Sequence, residues 1–283
     1  MHMTHTIRLA HRPPLVLGRR ALVMGILNVT PDSFSDGGQH DHVEAALAHA
    51  RLMLAEGADI LDIGGESPRP GADPVGAQEE LDRVMPVIDA IRAAGIGAPI
   101  SIDTMKPLVA HQALEAGADI INDVNGLQGA PEMAEIAAIF DAPVIAMHWD
   151  RTWTADTDPI PAMSSYFENT LSIAARAGII ASRVILDPGF GFTKTLTQNY
   201  SILRQLPELT RAFPDNALLV GTSRKSMIGK LLDNQPGERI AGTLATTIQG
   251  YERGGHIFRV HDVAPNRDAL RVAEATLYGP PQN

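Results

Sequence analysis

Carboxylate and amide side chains recur in this sequence directly after short apolar runs rich in β-branched residues. Asp103, Asn122 and Asp187 each close such a run. A carboxylate can accept two N–H bonds from a guanidine-like edge, and an amide can donate and accept at once. One such residue alone could simply cap the helix that follows it. Three on the same rim favour a binding site for a ring that carries adjacent N–H donors.

Basic side chains follow two later apolar runs. Arg224 and Lys225 come soon after the run at 217–220, and Arg259 and His261 stand two residues apart, which places them on one face of an extended strand. Together they form a local basic cluster that could bind a phosphate group. The alternative for Arg224 and Lys225 is a solvated helix start.

Two glycine-bearing loops extend this set. Residues 28–38 read NVTPDSFSDGG, with more hydroxyls and carboxylates than a structural connection needs. Residues 64–71 read GGESPRPG, in which Arg69 stands between two prolines. Paired glycines let the backbone approach a ligand closely, and an arginine suits an anion. We expect both loops to act as lids with an anion-binding edge.

Composition excludes several classes of protein. The formal net charge of −10, from 33 acidic and 23 basic residues, disfavours a surface that covers nucleic-acid phosphates or anionic lipid. The absence of cysteine excludes disulfide scaffolds, Cys-ligated zinc, iron–sulfur clusters and cysteine nucleophiles. No apolar stretch reaches the ~18 residues of a membrane span. We therefore expect a soluble, cytoplasmic protein with an anion site of local origin.

Two common motifs are missing. Residues 221–230 contain Gly-Lys without the spacing of a P-loop, which argues against a nucleoside triphosphatase. The chain has no His-Glu-x-x-His, and we interpret His148 as a packing residue at a strand end instead of a zinc ligand.

The polar residues need a scaffold that brings distant strand ends together. Short apolar runs alternate with longer amphipathic segments along the chain. We predict eight strands, at residues 22–27, 59–63, 99–102, 119–122, 143–147, 184–186, 217–220 and 257–260. Between them we predict helices such as 43–56, 79–94, 107–116, 132–140, 162–177 and 239–251.

Eight alternating units predict an α/β fold, a single (β/α)8 TIM barrel, for which about 250 residues is typical. An open doubly wound sheet is the competitor, but it usually carries G-x-G-x-x-G after its first strand, where this chain reads NVTPDS. We assign residues 21–280 to the barrel and 1–20 to a leader strand or mobile arm. The active site of such a barrel lies at the C-terminal ends of its strands, where the polar residues named above stand.

With these residues in hand, the sequence closely resembles the dihydropteroate synthases, the pterin-binding barrel enzymes of folate biosynthesis that sulfonamides inhibit. The resemblance covers nearly the whole chain. It rests on ordered blocks at residues 24–38, 62–67, 101–104, 121–123, 186–192, 223–229 and 259–263. It implies condensation of 6-hydroxymethyl-7,8-dihydropterin diphosphate with 4-aminobenzoate, which yields dihydropteroate and diphosphate.

Matched residue by residue, the resemblance implies four sets of site residues. The pterin would contact Asp103, Asn122, Met147, Asp187, Lys225 and Arg259. The diphosphate would be held by Asn28, Arg69, Arg259 and His261, with Mg²⁺ as cofactor bound near Asn28. The 4-aminobenzoate site would include Pro68, Phe190 and Ser223 from the loops. The catalytic set would be Asp32, Arg69 and Lys225.

The residue types fit this chemistry. Departure of diphosphate needs a fixed guanidinium and a cation, and the pterin-methyl cation left behind can be stabilised by nearby carboxylates. The neutral arylamine then attacks, so no covalent enzyme nucleophile is required. As a hypothesis, Asp32 stabilises the cation or orients the amine. The resemblance also implies a homodimer, for which the apolar C-terminal helices could supply the interface.

Three departures from the family pattern set this chain apart. Pro68 stands where a Thr is usual, residues 147–153 (MHWDRTW) replace a Met-His-Met segment, and Thr193 stands where a Gly is common. We expect altered affinity for 4-aminobenzoate or sulfonamides with the reaction retained. Two alternatives stay open at this point: a methyltetrahydrofolate-dependent methyltransferase barrel, which would not need the diphosphate loops, and a non-catalytic pterin-binding paralogue.

Overall fold

The computed structural model describes residues 2–30, 39–66 and 75–281. Near its beginning, β1 (His5–Ile7) and β2 (Leu15–Leu17) pair antiparallel as a small two-stranded sheet. The apolar residues of this hairpin, with Leu9, pack against the N-terminal ends of the strands of the barrel described in the next paragraph. The predicted leader is thus a hairpin that covers one end of the domain.

The part of the chain that the structure describes forms an eight-stranded parallel sheet. Its strands are β3 (Leu22–Asn28), β4 (Ile60–Gly64), β5 (Ile100–Asp103), β6 (Ile120–Asp123), β7 (Val144–Met147), β8 (Val184–Asp187), β9 (Leu219–Val220) and β10 (Ile257–Val260). They pair in the order β8, β7, β6, β5, β4, β3, β10, β9. The ring closes between β8 and the residues before β9, where Leu186 donates its backbone N–H to Ala217 at 2.9 Å.

Helices cover the outside of this ring. They are α1 (Gln39–Ala55), α2 (Ala77–Ala93), α3 (Pro107–Glu115), α4 (Pro131–Ile139), α5 (Pro159–Arg176), α6 (Leu196–Ala212), α7 (Ser226–Leu232), α8 (Ile240–Glu252) and α9 (Val263–Tyr278). Every barrel strand is followed by a helix, with both α7 and α8 between β9 and β10. The predicted α/β barrel is therefore confirmed. No described helix has the length and hydropathy needed to cross a membrane.

Strand alternation decides which side chains enter the barrel lumen. Successive side chains of a strand point to opposite faces, and one set packs with the N-terminal hairpin, as Met24, Ile60, Ile145, Ile185 and Ile257 do. Residues two and four further along these strands lie on the same face, nearer the C-terminal end. The N-terminal end of the lumen is therefore filled by apolar side chains, whereas the polar residues lie at its C-terminal end.

The hairpin end of the molecule is held by histidine contacts. The His2 ring stacks on Tyr251 with centroids 4.3 Å apart and bonds the Tyr278 hydroxyl through Nδ1 at 2.6 Å. The His5 ring meets His256 edge-on with centroids 4.7 Å apart. His256 is almost fully buried just before β10. Burial lowers the pKa of His256 to about 3, and the neighbouring His5 and His2 add to this shift.

This depressed pKa predicts a loss of stability in acid. A histidine that protonates near pH 6.5 when unfolded but stays neutral when folded stabilises the protein above that pH, and this contribution is lost as pH falls. We expect His256 to lower the free energy of unfolding by about 1 kcal/mol between pH 7.5 and 5.5. Denaturant titrations at both pH values measure it.

The matched variants are His256→Gln, which keeps an acceptor near the Leu218 N–H, and His111→Gln at a half-buried position of α3. His256 Nδ1 accepts from that N–H at 3.2 Å, whereas His111 pairs with Glu115 at 3.4 Å and meets the Phe140 ring edge-on, with centroids 5.1 Å apart. His256→Gln should flatten the pH dependence and His111→Gln should leave it unchanged. An equal acid loss in the wild type and His256→Gln would contradict the assignment.

Candidate active site

A half-buried arginine organises the C-terminal end of the lumen. Arg259 of β10 donates from Nε to Asp62 Oδ2 at 2.6 Å and from Nη2 to Asp103 Oδ2 at 2.6 Å. Asn122 Nδ2 lies 3.3 Å from Asp62 Oδ1, so the same carboxylate also meets the amide. Burial opposes the charge on Arg259, but Asp62 and Asp103 outweigh it and raise the arginine's pKa. The result is a guanidinium held in one place and permanently charged.

Asp103 titrates in an unusual range because of its surroundings. Burial raises the pKa of Asp103 to about 7; Arg259 lowers it, and the nearby carboxylates of Asp62, Glu80 and Asp123 raise it. The group therefore changes charge close to neutral pH. When ionised, this carboxylate can accept hydrogen bonds from a ring at both oxygens, whereas protonation turns one oxygen into a donor.

Asp187 and Lys225 form the second charged pair of the rim. Asp187 Oδ1 accepts from the Gly189 backbone N–H at 2.7 Å. Burial raises the pKa of Asp187, while Lys225 and this hydrogen bond act in the opposite direction. Burial lowers the pKa of Lys225 to about 8, opposed by Asp187. Each group thus favours the charged form of the other against the effect of burial.

Glycine is required where Lys225 crosses the loop after β8. Gly191 has φ +82°, and a Cβ there would lie 3.2 Å from Lys225 Cδ. Lys225 Nζ lies 4.9 Å from the centroid of the half-buried Phe192 ring, within the range of a cation–π contact. The Trp149 ring also contacts the Phe192 ring, and the centroids of the two rings are 5.4 Å apart.

The remaining predicted residues fall at different depths. Met147 is buried at the end of β7, and Asn28 is half-buried at the end of β3. His261 Nδ1 lies 3.0 Å from Ser223 Oγ, and its backbone N–H donates to the same hydroxyl at 3.2 Å. Ser223 is therefore engaged with a residue predicted to hold diphosphate. Its role toward 4-aminobenzoate stays a prediction.

Phe190 is the one predicted ring that the fold buries completely. It has no exposed surface and packs within the main hydrophobic core. The aromatic ring at this point of the rim is that of Phe192, two residues on. Sequence analysis missed Phe192 because the motif contains two phenylalanines and the positive φ of Gly191 turns the chain between them.

Asp32, Pro68 and Arg69 lie outside the described residues.

Sequence reasoning also missed Asp62 and Lys194. Asp62 was identifiable, since it stands two residues after the lumen-facing Ile60 of β4. Lys194 is buried and donates from Nζ to the backbone oxygens of Gly189 at 2.9 Å, His148 at 3.2 Å and Phe192 at 3.2 Å. Burial lowers the pKa of Lys194 to about 7, opposed by Asp187. Lys194 ties together the loops after β7 and β8.

Two departures from the family pattern have a local structural account. Thr193 adopts φ +55°, a conformation in which a β-branched residue is strained. Its hydroxyl donates to the backbone oxygens of Phe192 at 2.7 Å and Asp150 at 3.1 Å, which ties it to the altered loop after β7. In that loop His148 is fully buried and its ring packs against Trp153, the packing role predicted for it.

The fold and the rim define a barrel enzyme that binds a nitrogen heterocycle. Residues 24–261 match the model of the pterin binding enzyme family. The dihydropteroate synthase of Synechocystis is 47% identical over 266 residues, 91% of each chain. The chain belongs to the pterin-binding enzyme family and, within it, to the dihydropteroate synthases, which are transferases.

Solved structures agree with this membership. The Xanthomonas albilineans dihydropteroate synthase with 4-aminobenzoic acid superposes with a TM-score of 0.90 at 42% identity, covering 98% of this chain and 100% of that one. The Yersinia pestis enzyme in complex with a sulfonamide drug superposes with a TM-score of 0.87 at 42% identity, covering 96% and 99%.

The near-neutral pKa of Asp103 predicts pH-dependent pterin binding. Between pH 7.5 and pH 6 most of the Asp103 carboxylate becomes protonated, so affinity for 6-hydroxymethyl-7,8-dihydropterin should fall by about tenfold. Asp103→Asn should bind weakly at both pH values with little pH dependence. Calorimetric titration measures both proteins, and an unchanged slope in Asp103→Asn would assign the titration to another group.

The three hydrogen bonds of Lys194 predict a stabilising role. Lys194→Met leaves three buried carbonyl oxygens without this donor, and we expect a loss of about 2 kcal/mol in the free energy of unfolding. Lys230→Met, on the exposed side of α7, is the control and should be neutral. Chemical denaturation compares the two variants. A Lys194→Met protein as stable as the wild type would show that the buried charge costs what its hydrogen bonds contribute.

Proposed function

We propose that this protein condenses 6-hydroxymethyl-7,8-dihydropterin diphosphate with 4-aminobenzoate to form 7,8-dihydropteroate and diphosphate. The observation that carries the proposal is the Arg259 guanidinium, held by Asp62 and Asp103 at the mouth of the lumen. Asp103, Asn122 and Asp187 lie at neighbouring strand ends and can accept hydrogen bonds from the edge of a ring. Lys225 and His261 are basic groups that could face an anion.

The pterin is bound by the acceptors of the lumen. Asp187 and Asp103 accept N–H bonds from the ring edge in their ionised forms, and Asn122 both donates and accepts. Met147 supplies an apolar contact, and the planar Arg259 guanidinium lies against the ring, an arrangement that arginine favours. Asp103, Asn122 and Asp187 are buried, and each charge-assisted bond contributes on the order of 1.5 to 3 kcal/mol.

The diphosphate lies toward Arg259 and His261, with Arg69 from the second loop as a further cation. Asn28 is half-buried, and its side chain bonds no other residue that the structure describes, so its amide oxygen suits a hard cation. Mg²⁺ usually combines one or two protein ligands with substrate phosphates. When bound near Asn28, it would neutralise charge on the departing diphosphate. Arg259 stays fixed during this step, so no reorganisation is needed.

The transfer step breaks the bond between the pterin methyl carbon and the diphosphate oxygen. The amine nitrogen of 4-aminobenzoate forms the new bond to that carbon and releases one proton, and diphosphate leaves with the bonding electron pair. Lys225, between Asp187 and the Phe192 ring, lines the approach of the amine. Phe190, Pro68 and Ser223 are proposed contacts of 4-aminobenzoate, and Phe192, whose ring lies 4.9 Å from Lys225 Nζ, is proposed as a further one. Asp32 in the first loop orients the amine or stabilises the cation.

Sulfonamides would compete for the 4-aminobenzoate site. We also propose that the protein acts as a homodimer in the cytoplasm. Exposed apolar side chains occur on α7 and α8, where Leu231, Leu232 and Ile240 are 59%, 49% and 41% exposed. Leu231 and Leu232 line an apolar groove between α7, α8 and α6. A second copy of this chain would cover these side chains, as isologous interfaces do.

The reaction is tested by diphosphate release from the pterin diphosphate, with and without 4-aminobenzoate. Release that depends on both substrates supports the proposal, and a folded, pterin-binding protein without release would contradict it. Asp187→Asn should lose about 10- to 100-fold in kcat/KM, because one charge-assisted contact is weakened. Asp89→Asn, exposed on α2, is the control and should match the wild type.

A further inference from the structure

A partly buried cluster of charges lies outside the residues assigned so far. Lys106, which follows β5, donates from Nζ to Glu66 Oε2 at 2.5 Å and also to Glu80 Oε2. Glu80 belongs to α2 and has no exposed surface, and its second oxygen has no hydrogen-bond partner among the described residues. A fully buried glutamate on a helix is costly unless it is paired. The Lys106 ammonium supplies that pairing.

The cluster stands where the second loop begins and ends. Glu66 directly precedes residues 67–74, and its other oxygen, Oε1, accepts from the backbone N–H of Val75, directly after them, at 3.1 Å. Arg83 of α2 donates to the Gly65 backbone oxygen at 2.6 Å. Both ends of the segment that contains Arg69 are therefore tied to Glu66, and Glu66 is tied to Lys106.

The cluster is also linked to the pterin carboxylate. Lys106 lies three residues after Asp103, and its backbone N–H donates to Thr104 Oγ1 at 3.1 Å. Burial opposes the charge of Lys106, but Glu66 and Glu80 raise its pKa, so it stays protonated. One ammonium balances two carboxylates, which leaves a formal charge of −1 next to the Asp103 segment. Glu80 acts on Asp103 through this field.

We propose that Lys106 is a positioning residue. Through Glu66 and Glu80, it fixes the residues that flank the Arg69 loop, Glu66 and Val75, relative to the segment that follows Asp103. This inference rests on the proposed function, because it assigns Arg69 to the diphosphate and Asp103 to the pterin. It places the control of diphosphate binding on a side chain that touches neither substrate.

Removal of Lys106 should have two separable effects. The loop stem loses its tie, so the gain in affinity that the diphosphate group adds to the pterin should shrink. Two carboxylates are left without their cation, so protonation of Asp103 becomes easier. The groups that face Asp103 are Arg259, Asp62, Glu80, Asp123 and Lys225. Within this set, a change at Glu80 alters the field without touching the arginine bridge.

The test compares Lys106→Met, Glu80→Gln and the control Lys230→Met. Affinities for 6-hydroxymethyl-7,8-dihydropterin and its diphosphate are measured at pH 8, and kcat/KM is measured from pH 5.5 to 8.5. In Lys106→Met, the ratio of the affinity for the pterin diphosphate to the affinity for the pterin should fall at least tenfold, while the affinity for the pterin itself changes less than threefold. The acidic limb of the pH profile of kcat/KM should move to higher pH. In Glu80→Gln the acid limb should move to lower pH.

The opposite directions of these two shifts exclude a merely structural role. Equal losses for both ligands in Lys106→Met without a shifted acid limb would overturn the proposal, as would wild-type behaviour of both variants. If Lys106→Met does not fold, Glu80→Gln alone decides, since an unshifted or raised acid limb there contradicts the proposal. A wild-type protein that releases no diphosphate would instead refute the proposed reaction.

Discussion

The rim of this barrel depends on one interaction, the bridge from the Arg259 guanidinium to the carboxylates of Asp62 and Asp103. Three charges with little access to water are costly to bury, and the cost is offset only when geometry is good and the remaining donors and acceptors are used. Asn122 takes up part of the remaining capacity of Asp62. The bridge therefore fixes the side chains of β4, β5, β6 and β10 relative to one another before any substrate is present.

This constraint explains how an acidic protein can hold an anionic substrate. The whole chain carries a formal net charge of −10. Within the lumen, however, the carboxylates of Asp62, Asp103 and Asp187 favour the charged forms of Arg259 and Lys225. We propose that Asp103 and Asp187 also bind the substrate ring, so that the same groups would serve both purposes. The cost appears in the titration behaviour, since burial and crowded carboxylates raise the pKa of Asp103 to about 7. Catalytic sites commonly show perturbations of this kind.

Much of this arrangement was predictable from strand alternation. Asp103, Asn122, Asp187 and Arg259 stand at the lumen-facing ends of strands whose bounds the apolar runs indicated to within a few residues. Asp62 follows from the same rule. Strand alternation could not show that Phe190 is buried in the core while Phe192 reaches the rim. That difference depends on backbone turns at Gly189 and Gly191, which a sequence motif does not reveal.

The long-range polar ties were out of reach for a different reason. Lys106 meets Glu80 across 26 positions and Glu66 across 40, and Lys194 binds three backbone oxygens of two loops. Neither lysine belongs to a spacing pattern, and lysines are usually exposed. Their burial arises only when helices and loops pack, which is why the supporting shell of the site appears in the structure and not in the motifs.

The geometry of Arg259 between two carboxylates, and not its charge alone, prepares the site. Arg259→Lys keeps the charge but cannot reach Asp62 and Asp103 with a planar fork. Calorimetric titration of this variant with the pterin diphosphate is the most direct measurement. We expect a folded protein whose affinity is reduced at least tenfold, and an affinity equal to that of the wild type would show that the charge of Arg259 alone is sufficient.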